Sequence, residues 1–332
     1  MKTLVVIGLG NIATRHRKNL RYLMPKAKIY AVSASGRRVN SHVEYADEVL
    51  NSIEQIIPLN PDLVIIASPA TFHAEHAIPL IEAKIPLLIE KPVCTSVEQA
   101  TQLEHLSQQH QTPTAVGYCL RFMPTAQKLK ALLIDNVIGE VFHCSCSVGQ
   151  YLPHWRPTKD YRQTVSANAH LGGGALLELS HELDYLQWLF GDWQVSHAIL
   201  RQSKQLNLQV EDIADVTLHN SSGVICQLHM DFLQQPAQRH CVIVGSLGRI
   251  EWDLIENSLT QYSIEGKKQH YWEPEWDRNL MYIEMLNAFI NVASENSSET
   301  FATQNIASIT AATNTVRLIE TIKNSAQYVG EA

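Results

Sequence analysis

The sequence predicts an α/β fold in two parts, a doubly wound dinucleotide-binding domain over residues 1–118 and a second α/β domain over residues 119–332. Three observations carry this. The apolar run Leu4–Ile7 passes directly into Gly8-Leu9-Gly10-Asn11-Ile12-Ala13 and then into a helical pattern. Strand-like and helix-like stretches alternate as far as residue 118, as a doubly wound sheet requires. From Asp212 to Asp253 the pattern changes to antiparallel strands separated by turn residues.

An unbroken apolar run belongs to a strand covered on both faces, the condition of a parallel sheet. Gly8 permits the tight turn after that strand, Gly10 lets the backbone approach a pyrophosphate, and the small Ala13 lets helix and strand pack closely. The helix N-terminus adds free N–H groups and the positive end of its dipole. Gly8, Leu9, Gly10, Asn11 and Ile12 are therefore the expected dinucleotide contacts.

The second strand, Ile29–Val32, ends at Ser33-Ala34-Ser35-Gly36-Arg37-Arg38. Dinucleotide folds usually place an acid here to hold the ribose hydroxyls. An acid would repel a 2′-phosphate, whereas Ser33, Ser35 and Arg37 would hold one, so NADP is favoured over NAD. A short helical piece from Ser52 to Ile57 ends at Pro58, and the buried strand Leu63–Ala67 follows. Ser68-Pro69 opens the next turn, and a helix runs on through Leu80. His73 and His76 share one face of that helix, but no further ligand lies nearby in sequence and no metal site is expected. His73 is expected to face the cofactor, with Ser68 and Pro69 beside it.

Ile85–Ile89 is the next strand and delivers Glu90-Lys91-Pro92 at its C-terminal end, where ligands of open α/β sheets gather. Lys91, held by a rigid proline beside a glutamate, is placed to handle a proton. Ser96-Val97-Glu98-Gln99 has the capping-box form and starts a helix to Gln109, and Thr114–Tyr118 closes the domain as a strand.

A helix over Phe122–Leu133 and a strand over Val141–Val148 with one solvated face open the second domain. The long irregular stretch Gly149–Leu171 carries Tyr151, Trp155, Arg156, Tyr161 and Arg162. Loops of this length are commonly functional, and these aromatics argue against disorder. Aromatic faces stack on sugar rings and arginines hold carboxylates or phosphates, so Tyr151, Trp155, Arg156 and Tyr161, with Arg121, are candidate substrate contacts. About half of the aromatics are expected to serve only in pinning the loop. Gly172-Gly173-Gly174 leads into a helix over Ala175–Leu189 with Glu178, His181 and Asp184 three apart, on one side and facing a polar cleft. Strands over Val216–Asn220, Val224–Phe232, Cys241–Val244 and Arg249–Trp252, then helices over Asn279–Ala293 and Asn305–Ser325, complete the chain.

With 18% charged residues and a formal charge of −7, the chain is not expected to bind nucleic acid or an anionic membrane. No apolar run approaches the roughly 18 residues of a membrane span. Met1-Lys2-Thr3 leads straight into the first strand, so no signal peptide and a cytoplasmic location are expected. Six cysteines (94, 119, 144, 146, 226 and 241) lie scattered without a Cys-x-x-Cys, and are expected to be reduced thiols.

The chain resembles the glucose–fructose oxidoreductase / inositol dehydrogenase (Gfo/Idh/MocA) family over essentially its whole length. The residues that carry the resemblance are Gly8-x-Gly10-x-x-Ala13 with His16, Pro69-x-x-x-His73, Glu90-Lys91-Pro92, Gly117-x-x-x-Arg121-Phe122-x-Pro124, Gly172-Gly173-Gly174 and His181-x-x-Asp184. It implies a Rossmann NAD(P)-binding domain followed by an α/β domain with a large, mostly antiparallel open sheet. It also implies NAD(P)-linked oxidation or reduction of a sugar, cyclitol or sugar derivative. By position Lys91 looks like the family's catalytic lysine and His181 its catalytic histidine, with Glu178 in the place of its usual aspartate. The family commonly sets that aspartate four residues before the histidine; here Glu178 is three before and Leu177 stands at four. The 180–185 and 152–157 stretches are similar to members acting in bacterial surface-sugar pathways.

Hydride transfer at a carbinol carbon requires a base for the hydroxyl proton. Histidine titrates near neutrality, so His181 is expected to take the proton and Lys91 to polarise the substrate oxygen. Two other readings stay open: redox-assisted hydrolysis or elimination with a retained NAD, and a non-catalytic dinucleotide-binding regulator. Arg121, Arg156 and Arg162 hint at an acidic or nucleotide-activated sugar. A large sheet with one uncovered face favours a homodimer or homotetramer.

Overall fold

A computed structural model describes residues 1–39, 42–295 and 305–330. In chain order, the strands and helices as far as residue 134 are β1 (Thr3–Ile7), α1 (Asn11–Leu23), β2 (Lys28–Val32), β3 (Glu48–Leu50), β4 (Leu63–Ile66), α2 (His73–Glu82), β5 (Leu87–Ile89), α3 (Val97–His110), β6 (Thr114–Val116) and α4 (Pro124–Ile134). Then come β7 (Val141–Gly149), α5 (Ala175–Glu178), α6 (His181–Phe190), β8 (Trp193–Arg201), β9 (Ile213–Asn220), β10 (Ile225–Asp231), β11 (Gln238–Gly245) and β12 (Gly248–Asp253). The chain finishes with β13 (Ser258–Ser263), β14 (Lys268–Trp272), α7 (Leu280–Glu295), β15 (Ala307–Ser308), α8 (Ile309–Ser325) and β16 (Gln327–Val329).

Two compact units form, one from Met1–Phe122 with Arg278–Val316, the other from Met123–Asp277 with Arg317–Ala332. The boundary expected at residue 118 lies close to the first crossing. Arg278–Val316, expected in the second domain, belongs instead to the first unit. Its apolar face explains this: Met285, Leu286, Phe289 and Val292 of α7 are buried against Leu20 and Phe122.

In the first unit the sheet order is β15-β6-β5-β4-β1-β2-β3, all parallel except for the β15 edge. Side chains alternate across a strand, and both sets are buried. Val5, Ile7, Val64, Ile66, Leu87 and Ile89 join one core with α2, α3 and the start of α8. Leu4, Val6, Leu63, Ile65 and Leu88 join the other with α1 and α7. This is why β1 and β4 read as unbroken apolar runs. The three-residue β3 has only half-buried or exposed side chains and leaves no such signal. The helical piece expected over Ser52–Ile57 is two 3-10 turns, Ile53–Gln55 and Ile57–Leu59, because Pro58 cannot donate a helical hydrogen bond. Ser96 caps α3 as expected, its Oγ accepting from the Gln99 N–H at 3.3 Å.

The second unit holds a nine-stranded, mostly antiparallel sheet in the order β14-β13-β12-β11-β7-β10-β9-β8-β16. One face is apolar and buried, built from Cys144, Cys146, Val216, Leu228, Ile243 and Trp252 among others. The other carries Ser145, Ser147, Thr217, Gln227 and His229. Strands β8, β13, β14 and β16 escape the sequence reading. A bulge between Val195 and His197 interrupts the alternation of β8, and β14 and β16 are largely exposed edge strands. The helix expected over Ala175–Leu189 is broken: Leu179 takes ψ 22°, ending α5, and α6 begins afresh at His181.

Candidate active site

In the first unit the C-terminal ends of β1, β2, β4, β5 and β6 bring together most of the residues singled out above. Gly8 has φ +120°, and a Cβ there would stand 2.4 Å from the carbonyl oxygen of Ala67, so β1 turns against the end of β4 with no room for a side chain. A Cβ on Gly10 would meet nothing within 4 Å. Gly10 is the N-cap of α1, with no side-chain cap and no acid in the first turn. An uncapped helix start beside open space, with the dipole's positive end toward it, fits a pyrophosphate.

Arg17, which the sequence reading passed over, braces this turn from behind. It is 1% exposed and donates to the carbonyl of Gly8 (3.0 Å), the carbonyl of Glu44 (2.9 Å) and the hydroxyl of Thr14 (2.9 Å). Nothing in its sequence context marks it, since a lysine- or arginine-rich helix normally reads as solvated.

Ser33 is buried and Ser35 exposed at the end of β2, their hydroxyl oxygens 3.4 Å apart. Arg37 and Arg38 are exposed beyond them, and residues 33–38 include no acid. Ser68 accepts or donates to His76 Nδ1 at 3.0 Å, and His76 stacks on Phe72 with ring centroids 6.0 Å apart.

His73 is only 1% exposed. Nε2 lies 2.9 Å from the Ser68 carbonyl, and Nδ1 lies 3.0 and 3.2 Å from the carbonyls of Pro92 and Val93. Both nitrogens are thus engaged by backbone, and the ring ties the turn after β4 to the segment after Lys91 rather than presenting a polar edge to a ligand. Burial draws its pKa below the ordinary histidine value, against the pull of the Ser68 carbonyl and Glu90.

Glu90 follows β5 and is buried. Its Oε1 lies 2.6 Å from His16 Nε2, and its Oε2 accepts the Lys91 N–H at 3.2 Å. Burial alone would raise the Glu90 carboxyl, but the His16 hydrogen bond and the nearby Lys91 hold it below the usual range. Gly117 makes room for that carboxylate, since a Cβ there would sit 3.2 Å from it. The partly buried Lys91 therefore leaves β5 between an anchored carboxylate and a pinned proline, through a cis Lys91–Pro92 peptide. Arg121 is buried in the 3-10 turn Cys119–Phe122 of this unit.

In the second unit Glu178 ends α5 and accepts from the Ser166 hydroxyl at 2.7 Å. His181 starts α6, and Asp184 is buried one turn on. Because the helix is broken between them, their spacing does not by itself align Glu178 with the other two. Gly174, at φ +110°, lets the chain pass the Glu211 carboxylate, which a Cβ would approach to 2.5 Å. Of the loop residues, Trp155 rests edge-on against Phe232 with its Nε1–H donating to the Gln150 carbonyl. The Tyr161 hydroxyl donates to the Leu206 carbonyl at 3.0 Å, and Tyr151 packs on His154. Arg162 is turned to Asp160 in a two-pronged ion pair, whereas Arg156 is exposed.

Residues 2–118 match a family model described as the oxidoreductase family with an NAD-binding Rossmann fold, and residues 126–251 match the GFO/IDH/MocA C-terminal domain. The chain belongs to the GFO/IDH/MocA oxidoreductases. An uncharacterized oxidoreductase, sll0816, of a Synechocystis strain is 30% identical over 268 residues, 75% of this chain and 70% of that protein. Inositol 2-dehydrogenase 2 of Paenarthrobacter aurescens is 25% identical over 287 residues, 82% and 80% of the two chains. Among solved structures, levoglucosan dehydrogenase in complex with NADH and levoglucosan has the same fold, with TM-score 0.83 and 16% identity over 98% of this chain and 96% of that one. As a family member, this chain is an oxidoreductase with a Rossmann NAD-binding domain. Among the described residues no helix is long and apolar enough to cross a membrane.

Proposed function

We propose that this family member is a cytoplasmic, NADP-preferring dehydrogenase that moves a hydride between the nicotinamide and a carbinol carbon of a sugar, cyclitol or sugar derivative, an acidic or nucleotide-activated sugar among them. The observation that carries it lies within the first unit. Lys91 leaves the C-terminal end of β5, two strands from the Gly8 turn in the same parallel sheet, about 10 Å across at ordinary strand spacing. The bound nicotinamide supplies or accepts the hydride. Lys91 would polarise the substrate oxygen, His181 of the second unit would take or return the hydroxyl proton, and Glu178 would orient the histidine. Ser33, Ser35 and Arg37, with no acid among them, support the preference for a 2′-phosphate. Asp184, Arg121, Tyr151, Trp155, Arg156 and Tyr161 remain the proposed substrate contacts; for Trp155 and Tyr161 the ring faces would serve, since their polar atoms already bond to backbone. A homodimer or homotetramer is proposed from the polar face of the nine-stranded sheet, where Ile225 and Val244 are 49% and 37% exposed on either side of His143.

The test is the absorbance of reduced nicotinamide with NADP+ or NAD+ and a panel of cyclitols, neutral sugars, acidic sugars and sugar nucleotides. Net reduction, faster with NADP+, is expected with at least one class. Release of an aglycone without net cofactor change would replace the proposal by redox-assisted cleavage. No change with any compound, while the dinucleotide still binds, would make the chain a regulator.

A further inference from the structure

The second unit gathers four of the six cysteines of the chain at one place on the buried face of its sheet. Cys144 and Cys146 are two apart on β7 and so share a face. In the register of the sheet Cys226 of β10 lies beside Cys144, and Cys241 of β11 lies opposite Cys146. The sulfurs of Cys144, Cys146 and Cys226 all lie within 4.8 Å of one another. The Cys241 sulfur is 2.9 Å from that of Cys146. All four side chains are 0 or 1% exposed. No sequence motif announces this group, because three strands and their register are needed to assemble it.

We propose that Cys144, Cys146, Cys226 and Cys241 bind one thiophilic d10 ion, zinc in the first instance, as a structural centre of the second unit. A tetrahedral zinc–thiolate set has bonds of about 2.3 Å and therefore sulfurs about 3.8 Å apart. The three-sulfur group already has this scale, and Cys241, now in contact with Cys146 alone of the three, must move toward the other two to complete it. An all-sulfur donor set selects soft ions and excludes magnesium or calcium. Binding one divalent ion to four thiols releases four protons and leaves a net charge of −2. Arg239, two residues from Cys241 on the same strand face, is a cation on this strand and is paired with Glu182 of α6. Since no sulfur is open to solvent, the ion enters as the chain folds.

The test uses the full, tag-free chain. It is unfolded in guanidinium with a reductant and a chelator, then refolded with one equivalent of Zn2+ or Cd2+, or with none. After gel filtration, mass-spectrometric analysis is expected to find about one ion per chain, and the cadmium form to show a thiolate-to-cadmium charge-transfer band. Melting is expected at a higher temperature with metal than without. Cys146→Ala with Cys226→Ala should retain less than a tenth of the ion, while Cys94→Ala and Cys119→Ala, outside the group, retain it all. Wild-type chain that refolds to a native circular dichroism spectrum with no bound ion, or binds cadmium without the band, overturns the proposal. So does loss of two of the six thiols to a disulfide in protein purified without reductant. Because the wild-type arm reads metal directly, a failure of the double variant to fold leaves the proposal testable, and neither arm depends on dehydrogenase activity.

Discussion

The two units bury a sheet in opposite ways. The first covers both faces of a parallel sheet, so its strands are apolar throughout and its polar groups concentrate beyond the strand ends. The second covers one face of an antiparallel sheet and leaves the other polar, so polar groups are spread along whole strands. The candidate site follows this division. In the first unit its residues lie in short turns braced by buried groups such as Arg17, His16 and Glu90. In the second, the buried Glu182, paired with the partly buried Arg239, and the thiols lie inside the body of the fold.

The sharpest way to break the comparison lies at the two glycines of the first turn. Gly8→Ala forces a Cβ onto the Ala67 carbonyl at positive φ, and is expected to cost roughly 3 kcal/mol or more and to abolish dinucleotide binding. Gly10→Ala has open space around its Cβ and extended backbone, so melting should be unchanged while dinucleotide affinity falls at least tenfold. Thermal melting and fluorescence titration with NADPH separate the two. Equal loss of stability in both variants would mean that the open space at Gly10 is not a ligand's place.

The corresponding test of the second unit is Arg239→Met. Glu182 is fully buried and receives two guanidinium hydrogen bonds of 2.6 and 2.8 Å. Removing them leaves a carboxyl without its cation, at an expected cost of about 3 kcal/mol in denaturant titration. The exposed Asp160–Arg162 pair supplies the contrast: Arg162→Met should leave the midpoint where it is.

A smaller effect is expected on the polar face. The hydrogen bond to Asp231, aided by Asp215 and opposed by partial burial, raises His229 to about 9. The folded pKa exceeds the unfolded one, so this contribution to stability is complete below about pH 6.5 and is lost as pH rises toward 9. His229→Gln should flatten the fall in melting temperature over that window; an unchanged profile would detach His229 from it.

These contrasts also mark what was legible in the sequence. Buried parallel strands and their glycine turn announce themselves, because double-sided burial leaves an apolar run and a phosphate turn needs particular small residues. The Glu90-Lys91-Pro92 stretch was legible as a strand end for the same reason. The support beneath it was not: Arg17 and the carbonyls around His73 matter through contacts that local sequence does not encode, and His73 read as a ligand-facing group. In the second unit the bulge in β8, the break after Glu178 and the register joining four cysteines are properties of pairing, invisible one strand at a time.

The most direct measurement of the central claim compares Lys91→Ala and His181→Ala with the wild type, at saturating NADP+ and the best substrate of the panel. Each variant is expected to bind NADPH within about twofold of the wild type and to lose roughly 100-fold or more in turnover. Retained turnover in either variant would contradict the assignment of the reaction to a lysine of the first unit and a histidine of the second.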